Sequence, residues 1–139
     1  MEKKNVLFVC SHNSARSQMA EAFLRHVAGD RFNVYSAGLE STEIHPMTRQ
    51  VMSEAGFDLE GQRSKSLDEV RDIQFRWAII VCAKADEQCP ANYFNAIRLF
   101  WPFENPSAAE GTEAQRLMKF REVRDQIKEK LLAWLRNME

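Results

Sequence analysis

Asn5-Val6-Leu7-Phe8-Val9-Cys10-Ser11-His12-Asn13-Ser14-Ala15-Arg16-Ser17 reads as a strand that enters a helix through a polar loop. Val6 to Val9 form a short apolar run of the length expected for a buried strand. Arg16-Ser17 open a helix, whose first N–H groups have no intrahelical partner and so attract anions. Cys10 and Arg16, separated by five residues, place a thiol, a run of backbone N–H groups and a guanidinium around one point. The planar Arg fork pairs two oxygens of a tetrahedral oxyanion. The same positive field favours Cys10 as thiolate, the nucleophilic form. A cysteine ending a buried strand can also be a small core residue. Asn13 and Ser14 in the loop, Ser17 after the arginine and the amphipathic pattern that follows favour a covalent oxyanion site instead.

Working outward, Met19, Ala20, Phe23, Leu24 and Val27 keep helical spacing until Gly29-Asp30 stop them. Phe32 to Ala37 reads as a second strand, turned by Gly38. Met47, Val51, Met52 and Ala55 mark a helix over 47–55, ended by Gly56. Asp58 to Ser66 reads as loop and Leu67 to Arg71 as a short helix. Trp77 to Cys82 is a continuous apolar run, as in a strand buried on both faces. Ala83 to Asn92 is expected to be a loop, Ile97 to Trp101 a fourth strand, and the stretch around Pro102 and Pro106 irregular. Thr112 and Gln115 have capping-box spacing at the start of a long helix to about Asn137. Strands alternating with helices predict an α/β fold, a four-stranded parallel sheet flanked by helices on both faces, with 1–139 as a single domain. Ligands of such sheets bind beyond the C-terminal strand ends, where Cys10 and Cys82 would both sit.

Composition narrows the setting. With 45% hydrophobic and 28% charged residues, the 139-residue chain suits an ordinary soluble globular domain. Its net charge of −1 gives no reason to expect nucleic acid. No apolar run is long enough to span a membrane and the N-terminus lacks a signal-peptide pattern, so a cytoplasmic location is expected. In that compartment three cysteines suit catalysis, metal binding or redox chemistry better than a structural disulfide framework.

Cys82 ends the central strand as Cys10 ends the first, and Cys89 follows in the polar stretch AKADEQCP. Core packing of Cys82 with an incidental Cys89 is the plainest reading. Zinc would need four ligands, and His12, His26 and His45 show no ligand spacing with these thiols, so no metal is expected. A redox reading fits better: a second thiol attacks a sulfur that carries an oxyanion adduct, and a third moves the disulfide outward.

The motif Cys10-Ser-His-Asn-Ser-Ala-Arg16-Ser17-Gln-Met-Ala-Glu21, with Tyr35-Ser-Ala-Gly38, His45-Pro46, Cys82 to Cys89-Pro90 and Glu122-Val-Arg-Asp125, resembles the thioredoxin-coupled arsenate reductases, over essentially the whole chain. That family has the low-molecular-weight tyrosine phosphatase fold. The resemblance implies that Cys10 attacks arsenate while Arg16 and the backbone of Ser11, His12, Asn13, Ser14, Ala15 and Arg16 hold its oxygens. Cys82 then attacks the Cys10 sulfur and releases arsenite, Cys89 attacks Cys82, and thioredoxin reduces the Cys82–Cys89 pair. Ser17 would donate a hydrogen bond to the Cys10 thiolate, and Asn13 would hold the loop's shape. The expected partners are arsenate, with phosphate or sulfate as competing anions, and thioredoxin; no bound cofactor is expected, and the chain is expected to be a monomer.

Three positions depart from the family pattern. His12 stands where glycine is common, as an exposed loop histidine or as a protonatable donor at the rim. Asn105, after Glu104, falls where the fold's general acid, an aspartate, is expected; an amide cannot serve as that acid. Some members bind potassium through positions matching Asn13, Glu21, Ser36 and an aspartate, and this chain has Lys65 in that aspartate's place. The Lys65 ammonium can pair with Glu21 and make the ion unnecessary, so independence from potassium is expected. Two other functions remain beside the reductase: a phosphatase acting on phosphotyrosine or phosphoarginine, and a redox-responsive oxyanion-binding module without turnover.

Overall fold

The computed structural model describes residues 3–88 and 95–138. Four parallel strands, β1 (Lys4–Cys10), β2 (Phe32–Gly38), β3 (Trp77–Ile80) and β4 (Ile97–Phe100), lie in the order β2-β1-β3-β4. Helices α1 (Arg16–Ala28), α2 (Pro46–Glu54), α3 (Ala83–Gln88) and α4 (Glu113–Asn137) connect and cover them. The chain leaves β1 for β2 on one side and reaches β3 on the other. The strand order therefore reverses beside β1, and the C-terminal ends of β1 and β3 border the crevice where such sheets bind ligands.

Val6, Leu7, Phe8 and Val9 are all fully buried, which requires cover on both faces of the sheet. One face carries α1 and α4. There Phe32 stacks on Trp134 at 5.9 Å, and Trp77 and Trp101 meet the same indole edge-on at 5.4 and 5.7 Å. The opposite face carries α3, tied to β4 by an Arg98–Asp86 ion pair of 3.0 Å, and the 3₁₀ turn Leu67–Val70, near which Phe75 packs edge-on against Tyr35. Each fully buried large apolar side chain here contributes about 1.5–3 kcal/mol.

The sheet, its direction and the two-sided helical cover agree with the sequence. Several boundaries do not. Ala83 to Gln88 is a helix rather than loop, because Ala, Lys, Glu and Gln favour helix and Ala85 is fully buried. Its start is held by Cys82, whose sulfur accepts the Ala85 N–H at 3.3 Å and whose carbonyl accepts Asp86 N–H at 3.1 Å. Cys89 and the rest of 89–94 lie outside the described residues, as do the remaining positions of the expected loop beyond Gln88 up to Asn92. Strand β3 stops at Ile80, although Val81 N–H still reaches Val9 O at 2.9 Å. Val27, expected on the core side of α1, is 43% exposed. Helix α2 begins at Pro46, with His45 as its cap.

Candidate active site

The carbonyls of the loop between β1 and α1 are all taken up by surrounding structure. Cys10 O accepts Leu39 N–H and Ser11 O accepts Glu40 N–H, both at 3.1 Å. His12 O accepts the Ser64 hydroxyl at 2.9 Å, and Asn13 O accepts the Gln18 amide at 3.1 Å. Ser14 O accepts His45 N–H at 3.0 Å and the Thr48 hydroxyl at 3.1 Å, and Ala15 O accepts Met19 N–H at 2.9 Å. In a planar trans peptide the C=O and N–H point in opposite directions. Anchoring the carbonyls outward therefore turns the N–H groups of the loop toward its interior. No side chain caps α1 at Ala15, so the helix's first N–H groups add to the same concave surface.

Gly38 lets β2 come this close. A Cβ there would lie 2.8 Å from Asn13 N and 2.7 Å from Glu40 O. Asn13 has φ of 54°, the left-handed conformation that asparagine tolerates better than most residues.

Arg16 is buried, and its Nη1 donates to Phe103 O at 3.0 Å. Its Nε is buried without a hydrogen-bond partner, a donor left over for an anion. Cys10 and Cys82 are both free thiols and both buried. They lie within hydrogen-bonding reach of each other; Ser11 Oγ is 3.2 Å from Cys82 Sγ. A cleft of about 610 Å³ opens onto Cys82, lined also by Ser11, His12, Arg16, Lys84, Phe103, Glu104 and Asn105 among others.

The hydrogen bond between the two thiols acts on them in opposite directions. The hydrogen bond with Cys82 and burial both push the Cys10 thiol well above its usual pKa, against the pull of Arg16. The same bond draws Cys82 down to about 5, helped by the Ser11 hydroxyl, the Ala85 N–H and Arg16. The Ser17 hydroxyl accepts Asn13 Nδ2 at 2.7 Å and keeps its own proton to donate.

The remaining expected site residues fall into two groups. Glu21, Ser36 and Lys65 meet beneath the loop: Ser36 donates to Glu21, and the Lys65 ammonium stands 3.9 Å from the same carboxylate oxygen. Arg25 pairs with the other carboxylate oxygen at 2.7 Å. Burial pulls Lys65 below its usual pKa, against the attraction of Glu21. At the cleft rim, Glu104 pairs with Lys119 at 2.8 Å, and Asn105 Oδ1 accepts Ser107 N–H and hydroxyl at 3.1 and 2.7 Å to cap a 3₁₀ turn. His12 is exposed, its Nε2 3.9 Å from Glu40. Among the described residues no group of three or more His, Cys, Asp or Glu side chains is placed to hold a metal ion. No helix among them is long and apolar enough to cross a membrane.

His45 stands out in the sequence only as part of a motif, yet it joins the loop to α2. Its Nδ1 accepts Met47 N–H at 3.1 Å, its backbone holds Ser14, and its ring lies 4.8 Å from that of Phe120. Burial and then Arg116 lower its pKa. The unfolded chain therefore binds this proton more tightly, and the His45 contribution to stability is complete above pH ~6.5 and declines as pH falls below it. In urea unfolding between pH 7 and 5, His45→Asn, which keeps a capping acceptor without the titration, should lose less stability than the parent. Equal losses would show that His45 does not report this pH range.

Gln18 and Gln62 support the loop without having been singled out by sequence. The available signal is a row of polar residues, Gln18, Glu21 and Arg25, at helical spacing on a helix otherwise buried by apolar residues.

Comparison with known proteins adds to this geometry. The family model described as low molecular weight phosphotyrosine protein phosphatase matches residues 5–139. An arsenate reductase of Halalkalibacterium halodurans is 39% identical over 127 residues, 91% of each chain. A solved arsenate reductase in a phosphate-binding state superposes with a TM-score of 0.81 at 32% identity, covering 98% of this chain and 99% of that one. A tyrosine phosphatase of Erwinia amylovora, 19% identical with a TM-score of 0.76 over 98% of this chain and 93% of its own, shares the fold.

Proposed function

Because the chain belongs to the low-molecular-weight phosphotyrosine protein phosphatase family, we propose that it uses that family's anion loop for redox chemistry, as an arsenate reductase. The observation that carries the reading is the second buried thiol, Cys82, within hydrogen-bonding reach of Cys10. Hydrolysis through a cysteinyl intermediate needs one thiol; two-electron reduction of arsenate needs two.

Arsenate enters as the singly charged dihydrogen anion, with its oxygens on the loop N–H groups and the free Arg16 Nε. Cys10 attacks arsenic, and its thiol proton leaves with a hydroxyl oxygen as water. A singly charged thioester of arsenic acid on Cys10 is left. The Cys82 thiolate attacks the Cys10 sulfur. The S–As bond breaks and its electron pair stays on arsenic, which passes from As(V) to As(III). Two protons from water complete arsenous acid, and a Cys10–Cys82 disulfide remains. The lowered pKa of Cys82 favours the thiolate that serves as second nucleophile when the adduct forms. Cys89 then attacks Cys82, and a dithiol donor of the thioredoxin type reduces the Cys82–Cys89 bridge. Phosphate and sulfate compete for the same loop but accept no electrons.

Potassium has no place in this scheme. Glu21 is already neutralised by Arg25 and Lys65, and Asn13 Oδ1 is occupied by Gln18 and Lys65 N–H at 2.9 and 2.8 Å, so these residues do not fit an ion. Exchanging sodium for potassium at constant ionic strength should leave steady-state turnover unchanged; a clear rise in potassium would show that Lys65 does not fill that role.

The deciding experiment is multiple-turnover arsenite production with thioredoxin, thioredoxin reductase and NADPH. Sustained arsenite release coupled to NADPH oxidation supports the reading. No arsenite, with p-nitrophenyl phosphate hydrolysed at a rate independent of Cys82 and Cys89, would make the protein a phosphatase.

A further inference from the structure

Gln18 is a fully buried primary amide that does not line the cleft, yet its Nε2 makes three contacts. It reaches Asn13 O at 3.1 Å, Asn13 Oδ1 at 2.9 Å and Arg63 O at 3.0 Å. All three are acceptors, which fixes the orientation of the amide. Its Oε1 in turn accepts Gln62 Nε2 at 2.7 Å, and Gln62 Nε2 also reaches Gln18 O at 3.2 Å. From Gln62 the contacts run through Arg25 (3.4 Å) to Glu21 and Lys65, and Lys65 N–H returns to Asn13 Oδ1 at 2.8 Å. The chain of contacts closes on Asn13.

Asn13 is the residue of the anion loop that needs such support. Its φ of 54° is the left-handed backbone conformation that most L residues avoid. We propose that Gln18, seated by Gln62, is a positioning residue for oxyanion binding: it clamps both the main chain and the side chain of Asn13 and so sets the aim of the loop N–H groups. The inference rests on the reading of the Cys10–Arg16 loop as the oxyanion site. Clamping matters because an array of N–H donors stabilises a charge only when its directions are fixed before the charge arrives.

Gln18→Met keeps the length and removes the donors, and Gln62→Ala removes only the group that seats Gln18. Inorganic phosphate protection of Cys10 from iodoacetamide, followed by mass spectrometry, gives an affinity for the loop without turnover. Arsenate KM and kcat are read on the same samples. Gln18→Met should weaken phosphate protection by about tenfold or more and raise arsenate KM in step. Gln62→Ala should move both in the same direction by about threefold. Thr112→Ala, which deletes the α4 cap and none of the contacts to Asn13, serves as the stability control: its unfolding midpoint should fall while phosphate affinity stays at the parental value. Parental phosphate affinity in folded Gln18→Met overturns the proposal. If Gln18→Met does not fold, parental affinity in Gln62→Ala overturns it. A parent that phosphate does not protect at all would remove the oxyanion reading itself, a different outcome from a clamp that has no effect.

Discussion

Cys10→Ser should lose arsenate reduction by at least ~10^4-fold, while Cys82→Ser should lose turnover to the same degree yet still accept arsenate. The two variants fail at different steps. Without Cys10 there is no sulfur to bond arsenic. Without Cys82 the adduct forms and reverts, since Ser cannot supply the second sulfur of a disulfide. The electrostatics add a second reading. The hydrogen bond with Cys82 raises the pKa of the Cys10 thiol and lowers that of Cys82. In Cys82→Ser that influence is gone, and Arg16 and the Ser11 N–H are left to favour the Cys10 thiolate against burial. Iodoacetamide labelling of Cys10 should therefore extend to lower pH in Cys82→Ser than in the parent, with the modified residue identified by mass spectrometry. Retained arsenite production in Cys82→Ser would break the two-thiol scheme. An unchanged pH profile for Cys10 labelling would separate the sulfurs electrostatically while leaving their redox roles intact.

The parts legible in sequence are local or periodic. Val6 to Val9 announce a buried strand, Arg16 to Leu24 a helix, and Cys-x5-Arg between them an anion loop, since each depends on residues within a few positions. Lys65 beside Glu21 is reached through the family resemblance, and the structure places the two side chains together. What stays hidden depends on contacts across the fold. The opposite pulls on the Cys10 and Cys82 thiols follow from an encounter between residues at the ends of two different strands. Helix α3 is obscured because its cap is a sulfur and its anchor a single buried alanine, neither of which is a recognised start signal. The hydrogen bond from the Asn13 carboxamide to the Ser17 hydroxyl at 2.7 Å depends on the left-handed turn at Asn13, which no local pattern announces.

Asn105→Asp should raise p-nitrophenyl phosphate hydrolysis by about 10²-fold, the usual yield of one positioned general acid, and change arsenate reduction little. The difference comes from the leaving group. Arsenate loses a hydroxyl that the Cys10 proton can carry off as water. A phosphate ester loses an alkoxide or phenoxide, the group that an acid at position 105 would protonate and that the amide of Asn105 cannot. Glu104 does not replace the missing acid, because Lys119 holds its carboxylate in an ion pair at the rim. Asn105 already faces the cleft while its Oδ1 caps the Ser107 turn. An aspartate can keep that cap with one oxygen and present the other to a leaving group, so the substitution supplies an acid without rebuilding the loop. The pH dependence identifies the cause: hydrolysis by Asn105→Asp should acquire a falling limb on the alkaline side as the carboxylic acid ionises, absent from the parent and from Asn105→Ser. Hydrolysis at the parental rate in Asn105→Asp would mean that the loop does not aim position 105 at the leaving oxygen. Parental hydrolysis that is already fast would mean that Cys10 or Glu104 donates the proton, and that the second thiol alone distinguishes this site from that of a phosphatase.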